Sequence, residues 1–351
     1  MTVGIDISQI VYPGTGVGTY TRELVTAMLK HPRGVNFKLF GSSLRQQSAI
    51  RQFNGKTIVY PFPPTLLDIL WNRLHVLPIE NLIGDTDVFH TSDWTEPPTK
   101  RAKKVTTIHD LVVFTHPQYS HHKIIATIKS KLEWVTKESK IVFCDSQSTK
   151  TDTQKYLSVE EDRLRVVYPG LPTGLAKYEK QKYSGRPYIL ALGTREPRKN
   201  LPKLVEAFKS LDLQDHDLVI AGKYGWGPDI YAPNIKVLGY VTEEEKYELL
   251  ANASLFCYPS LYEGFGFPIL EAMALGCPVL TSRAGSLAEV GGKAPIYVDP
   301  NSVDDIAGEI EYCLNHDMYP RILDGYEQTK KFSWENTAKQ VIEAYKELCG
   351  F

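Results

Sequence analysis

Two glutamates bracket a glycine-containing turn in Glu263-Gly-Phe-Gly-Phe-Pro-Ile-Leu-Glu271, with seven residues between them. The backbone N–H groups of Gly264, Phe265 and Gly266, backed by a helix that Pro268 opens, suit an anionic phosphate or a sugar hydroxyl. Carboxylates accept hydrogen bonds from hydroxyls, so Glu263 in the turn suits a hexose and Glu271, a turn into the helix, suits two ribose hydroxyls. Each glutamate alone also has a structural reading, Glu271 as a dipole-stabilising residue and Glu263 as a solvated loop residue. Upstream, Gly193-Thr194-Arg195-Glu196-Pro197-Arg198-Lys199-Asn200 follows a candidate strand and precedes a candidate helix. Cations at the carboxyl end of a parallel strand sit where such sheets bind ligands, and a departing diphosphate needs positive charge as its bond breaks. A solvated basic loop is the alternative for this stretch. No Asp-x-Asp closes a candidate strand and no His/Cys cluster has ligand spacing, so in a glycosyl transfer Arg198 and Lys199 would supply the charge that a metal otherwise provides.

The first half offers two further motifs. Gly14-Thr15-Gly16-Val17-Gly18 follows the first candidate strand and precedes a helix expected from Thr19, so the backbone at Gly16 can approach a phosphate or sugar. The acid that binds ribose in a nicotinamide enzyme is missing, because the next strand ends in Gly41-Ser42-Ser43. Thr106-Thr107-Ile108-His109-Asp110 places an imidazole at a strand end, suited to a sugar hydroxyl or a proton role, or simply to a structural one.

The elements that position these motifs are short apolar, β-branched runs alternating with amphipathic stretches. Strands are expected at Val3–Ile7, Phe37–Phe40, Thr57–Tyr60, Val88–His90, Val105–His109, Ile141–Asp145 and Val166–Tyr168. After residues 169–187, rich in Pro, Gly, Lys and Tyr, the alternation restarts with strands at Tyr188–Thr194, Leu218–Ala221, Lys236–Leu238, Leu255–Tyr258 and Val279–Thr281. Helices are expected at Thr19–Leu29, Ile124–Lys137 and Leu201–Ser210, and at 243–251 behind a Thr242/Glu245 capping box. Another runs between Pro268 and Gly276, and a closing amphipathic helix begins near Ser333. This pattern implies two doubly wound α/β domains, 1–170 and 188–332, joined by a linker at 171–187. The 351 residues and average composition agree with two folded domains rather than a disordered or fibrous chain.

Charge is divided: residues 1–170 hold 21 Lys+Arg against 16 Asp+Glu, and the remainder 19 against 25. A surplus of five cations hints at an anionic ligand but is too small for nucleic acid. Five scattered cysteines without Cys-x-x-Cys spacing argue against a disulfide framework or a zinc site. The chain has no apolar run of membrane-spanning length and opens without a leader pattern, so the expected location is the cytoplasm. The basic, one-sided apolar segment His121–Trp134 raises the further expectation of peripheral contact with anionic lipid at the inner membrane face, against a plain core-packed helix.

Taken together, the early glycine loop, the strand-end His-Asp, the Glu-Pro-Arg-Lys-Asn segment and the paired glutamates resemble the family 4 retaining glycosyltransferases of GT-B fold. The likeness runs over nearly the whole chain. It implies two Rossmann-like domains facing a deep cleft, with the closing helix 333–351 crossing back to the first domain. It implies that Arg198 and Lys199 hold the donor diphosphate and that Glu263 with the 264–266 amides holds the sugar. Glu271 would take the ribose, His109 and Gly16 would contact sugar and phosphates, and Tyr240 would lie near the base. Arg195 would be a third phosphate ligand or merely exposed. The implied reaction moves a hexose of mannose or glucose type from a GDP- or UDP-linked donor to a glycan or lipid-linked acceptor, with retention and without metal or cofactor. A nucleotide-sugar epimerase, a non-catalytic nucleotide-sugar-binding protein and a nicotinamide-dependent dehydrogenase are the competing readings.

Overall fold

The computed structural model describes residues 1–53, 56–91, 93–178, 185–225 and 232–351, so Ser92 and the linker residues 179–184 lie outside it. The chain forms two compact units, one of Met1–Gly170 with Phe332–Phe351, the other of Leu171–Lys331.

The first unit is built on a seven-stranded sheet whose pairings are all parallel. Its strands are β1 (Thr2–Asp6), β2 (Asn36–Ser42), β3 (Thr57–Tyr60), β4 (Val88–Thr91), β5 (Lys103–Ile108), β6 (Ile141–Cys144) and β7 (Leu164–Val166), in the order β3-β2-β1-β4-β5-β6-β7. Strand order reverses between β1 and β4, and the carboxyl ends there are where an open parallel sheet binds ligands. The main covering helices are α1 (Gly16–Lys30), α2 (His122–Glu138) and α3 (Gln147–Leu157). The closing helix, Trp334–Cys349, packs on α1 through the edge-on ring pair Tyr20–Trp334, whose centroids lie 5.5 Å apart. It is tied to the end of the sheet domain by Thr337 Oγ1, which donates to the Tyr168 carbonyl at 2.6 Å.

The start of α1 departs furthest from the sequence expectation. α1 begins at Gly16, three residues early, because Thr15 serves as N-cap and its hydroxyl accepts from the Gly18 N–H at 3.2 Å. The cap outweighs the low helix propensity of two glycines. Ser333 occupies the N-cap position of the closing helix, but its side chain makes no capping bond.

The second unit carries a six-stranded parallel sheet of β8 (Tyr188–Leu192), β9 (Asp217–Ala221), β10 (Ile235–Gly239), β11 (Leu255–Tyr258), β12 (Val279–Ser282) and β13 (Ile296–Val298). Their order is β10-β9-β8-β11-β12-β13, so the reversal falls between β8 and β11. α4 (Leu201–Ser210), α5 (Glu243–Asn252), α6 (Phe267–Ala274), α7 (Val303–Asn315) and α8 (Tyr319–Thr329) cover it. Both bonds of the Thr242/Glu245 capping box are present. Residues 171–178 belong to this unit rather than standing apart as a linker, with Tyr178 packed against Tyr247 at 5.4 Å between ring centroids. Leu204, Leu218, Leu255, Leu280, Ile306 and Ile310 are fully buried in its core. None of the five cysteines is in a disulfide, and only Cys349 is not buried. Among the described residues no helix is long and apolar enough to cross a membrane.

Candidate active site

In the second unit the loops after β8 and β11 flank the point where strand order reverses, and each delivers charged side chains to it. The β8 loop closes as a single helical turn, Pro197–Lys199, and Asn200 then adopts left-handed backbone at φ 59° before α4. Asn200 is a structural residue here: its amide donates to the carbonyls of Pro259 at 3.1 Å and Pro300 at 2.6 Å, pinning the β8 loop to the β11 loop. That pin places Arg198 and Lys199 against Glu263. The Lys199 ammonium donates to Glu263 Oε1 at 2.6 Å and to the Tyr258 hydroxyl. Arg198 Nη1 donates to Glu263 Oε2 at 2.8 Å, while its Nε donates to Glu196 at 2.9 Å.

All of Lys199, Glu263 and Arg195 are buried. Burial alone would raise the Glu263 pKa, but the Arg198 and Lys199 cations outweigh it and bring the carboxyl down to about 2. Burial and the neighbouring Arg198 charge lower the Lys199 pKa, with Glu263 opposing. The Glu263 backbone is equally fixed: its carbonyl accepts from the Ser286 N–H at 3.0 Å and the Ser286 hydroxyl at 3.1 Å. Gly285, at φ +60°, lies so close that a Cβ would come within 2.2 Å of that carbonyl oxygen. Gly266 is the N-cap of α6 at φ +93°, so the 264–266 turn ends in a conformation that favours glycine.

Glu271 projects from α6 and is buried, with the Lys246 ammonium of α5 donating to its Oε1 at 2.7 Å. Its Oε2 has no hydrogen-bond partner among the described residues. Burial holds its pKa above the usual carboxylate range, with Lys246 opposing and Glu243 adding to the rise. Arg195, for which exposure was one expectation, is buried, and its guanidinium lies over the Tyr224 ring at 4.5 Å. Tyr240 follows β10 and is half-exposed, with the Lys223 ammonium 5.3 Å from its ring centroid.

In the first unit His109 directly follows β5, and its Nδ1 lies 2.6 Å from Oδ2 of Asp145, which directly follows β6. Tyr20 of α1 meets the imidazole edge-on at 4.7 Å. Burial would lower the His109 pKa, but the carboxylates of Asp145, Asp93 and Asp110 outweigh it and hold it above the ordinary value. With Nδ1 engaged by Asp145, Nε2 is the ring nitrogen left to meet a ligand. Gly16, the first residue of α1, is exposed.

Two family models divide the chain: Glycosyltransferase Family 4 matches residues 14–175 and Glycosyl transferases group 1 matches residues 176–332. The O-antigen chain mannosyltransferase B of Escherichia coli is 31% identical over 97% of this chain and 98% of its own length. The chain belongs to the family 4, group 1 glycosyltransferases. Solved structures agree on the fold. Sucrose-phosphate synthase of Thermosynechococcus elongatus superposes with a TM-score of 0.77 over 100% of this chain and 99% of that one, at 18% identity. Anabaena HepE, solved with UDP and glucose, gives 0.71 over 99% and 100%, at 15% identity.

As a GT-B glycosyltransferase the chain fits neither the dehydrogenase nor the binding-protein reading, and its relatives do not favour the epimerase. The structure gathers Arg198, Lys199 and Glu263 into one hydrogen-bonded cluster, and places Glu271 on the helix that follows the Glu263 turn. Sequence reasoning missed Asp145, Lys246 and Tyr258. Asp145 carried a signal, since it closes an expected strand next to the one that ends at His109. Lys246 did not, being one of several charges on a surface helix.

Proposed function

We propose that this glycosyltransferase moves a mannose-type hexose from a nucleoside diphosphate donor to a hydroxyl of a glycan or lipid-linked glycan, with retention at the anomeric carbon. The observation that carries this reading is the pair of cations, Arg198 and Lys199, converging on one buried carboxylate at the strand-order reversal of the second sheet. Charge held rigidly in a low-dielectric site stabilises a departing diphosphate more than the same charge in water. Arg198 and Lys199 would take that charge without a metal, Glu263 and the 264–266 amides would orient the sugar, and Glu271 would bind the ribose. His109 is assigned the transferred sugar, Gly16 and Arg195 the phosphates, and Tyr240 the neighbourhood of the base. The bond from the anomeric carbon to the phosphate oxygen breaks, the bond to the acceptor oxygen forms on the same face, and the acceptor proton passes to the departing phosphate. No enzymic nucleophile is needed. The mannose assignment follows the name of the Escherichia coli relative, and the UDP of the Anabaena structure keeps UDP-hexoses beside GDP-mannose as candidate donors.

We place the enzyme at the cytoplasmic face of a membrane, touching anionic lipid through the start of α2. Lys123, Ile124 and Lys129 are exposed there, whereas Lys131 is buried and takes no part.

The decisive experiment supplies GDP-mannose, UDP-glucose and ADP-glucose with glycan acceptors, in the presence and absence of EDTA. An EDTA-insensitive product with the donor's anomeric configuration is expected, and Lys199→Ala and Glu263→Ala should each lower turnover by at least about a hundredfold. An inverted product, or wild-type turnover in either variant, overturns the reading. Flotation with vesicles containing phosphatidylglycerol at low salt should carry the protein, and its absence from the floated fraction removes the membrane assignment.

A further inference from the structure

His109 is gripped from elements other than its own strand. Its carbonyl accepts from Thr149 Oγ1 of α3 at 3.3 Å, and its Nδ1 meets Asp145 at 2.6 Å. Neither contact fixes the plane of the ring, because an imidazole bonded through one nitrogen still turns about that bond. A ring contact does fix it. The Tyr20 ring stands at 74° to the imidazole with centroids 4.7 Å apart, inside the range of about 4.5–7 Å over which edge-on rings attract.

Tyr20 is itself held firmly. It lies near the start of α1, and the glycine motif before it seats that helix. A Cβ on Gly18 would come within 2.9 Å of both Thr15 Oγ1 and the Tyr12 carbonyl, so glycine is what lets the helix start pack this closely. Trp334, the first residue of the closing helix, meets the Tyr20 ring at 73° and 5.5 Å. The Tyr20 hydroxyl lies 3.4 Å from Thr107 Oγ1, two residues before His109. The cavity left among Tyr20, His90, Thr107 and His109 is about 20 Å³, room for one water, so neither ring has space to swing aside. Burial pushes the Tyr20 pKa up and the Asp145 carboxylate adds to the rise, so the hydroxyl keeps its proton.

We propose that Tyr20 is a positioning residue for His109: its ring, packed on Trp334, sets the imidazole plane and with it the direction in which Nε2 meets the transferred sugar. The inference rests on the assignment of His109 to that sugar, and it gives the closing helix a part in the chemistry through two ring contacts. Without the Tyr20 ring, the Asp145 bond anchors the imidazole at one atom and Nε2 sweeps an arc. A misplacement of about 1 Å at such a contact costs up to about a hundredfold in rate.

The test uses the full chain as Tyr20→Leu, Tyr20→Phe, Trp334→Leu and His109→Ala, with Tyr20→Leu also combined with His109→Ala. Isotope-labelled histidine NMR, with the His109 signals assigned by their loss in His109→Ala, should show a single neutral tautomer in the wild type. Tyr20→Leu should broaden or shift those signals. With GDP-mannose or UDP-glucose as donor, Tyr20→Leu should lower kcat at least about tenfold, with the Kd for GDP or UDP unchanged. Tyr20→Phe keeps the ring and should restore both kcat and the imidazole signals, while Trp334→Leu should show a smaller loss of the same kind. Because Tyr20 acts through His109, Tyr20→Leu should cost nothing further in the His109→Ala background. A Tyr20→Leu protein that melts earlier but keeps the wild-type imidazole signals and kcat overturns the proposal, as does an additive loss in the double variant. Imidazole signals that change in Tyr20→Leu, while Tyr20→Leu and His109→Ala both turn over at the wild-type rate, uphold the positioning and sink the assignment of His109 to the sugar instead.

Discussion

Glu263 accepts from two cations at once, and that geometry sets both what the residue can do and how the protein responds to acid. A carboxyl held at about 2 against an unfolded value of 4.5 gives up its proton more readily in the folded chain. Its contribution to stability is therefore complete above about pH 5 and is lost as pH falls through the interval down to about 2. Between about pH 6 and about pH 3.5 the loss attributable to this group is on the order of 1 kcal/mol. Glu263→Gln should be less stable than wild type near neutrality, because the buried Lys199 and the half-buried Arg198 lose their shared carboxylate, and its stability should fall less steeply over that interval. Urea unfolding of both proteins at a series of pH values measures the difference. Parallel pH slopes would show that Glu263 does not carry the acid response. Residue identity was readable from sequence where a motif fixes backbone and charge together, as at Glu263 and Lys199. It was not readable for Tyr258, because the Lys199–Tyr258 contact joins the loop after one strand to the end of another nearly sixty positions along.

The closing helix shows what one element owes to buried polar contacts. Its Tyr345 hydroxyl lies 2.6 Å from His90 Nδ1, and His90 Nε2 lies 2.9 Å from Thr107 Oγ1, all buried. Burial, with Lys131 and His109 adding to it, drops the His90 pKa to about 3, so the imidazole stays neutral in the folded protein. Because the folded value lies below the unfolded one, this histidine favours folding above about pH 6.5 and opposes it progressively below. Tyr345→Phe leaves a ring nitrogen buried without its partner and should cost about 1–3 kcal/mol. The loss should appear as faster amide exchange across residues 334–349, and unchanged exchange there would mean that apolar packing alone holds the helix. Elements themselves were legible in proportion to the strength of their local signal. Leu201–Ser210 and Leu255–Tyr258 coincide with expectation, and the capping box forms both bonds. Strand β13 was missed because three residues at a sheet edge carry too little alternation to register. The start of α1 was misplaced because glycines at 16 and 18 read as loop, while the Thr15 cap decides the matter in three dimensions.

At the scale of the whole molecule, the second unit is one continuous segment while the first is assembled from both ends of the chain. That asymmetry makes the two units unequal under truncation. Removing residues 332–351 takes Trp334, Val341, Ile342 and Tyr345 out of the first unit, all of them buried. At about 2 kcal/mol for each such side chain, the loss is about 8 kcal/mol, within the range of about 5–15 kcal/mol that constitutes a domain's entire stability. A chain ending at Lys331 should therefore lose cooperative unfolding of its first unit and keep that of the second. Residues 171–331 alone should fold, since their sheet, covering helices and core are all internal to the segment. Calorimetry and urea unfolding of the full chain, the truncated chain and the 171–331 segment compare the three directly. A truncated chain whose first unit still unfolds cooperatively near the wild-type midpoint would mean that the closing helix is an accessory rather than part of that unit's core. The same comparison separates folding from chemistry, because the segment retains Arg198, Lys199, Glu263 and Glu271 yet lacks His109. Under the proposed division of labour it should bind nucleotide and transfer nothing.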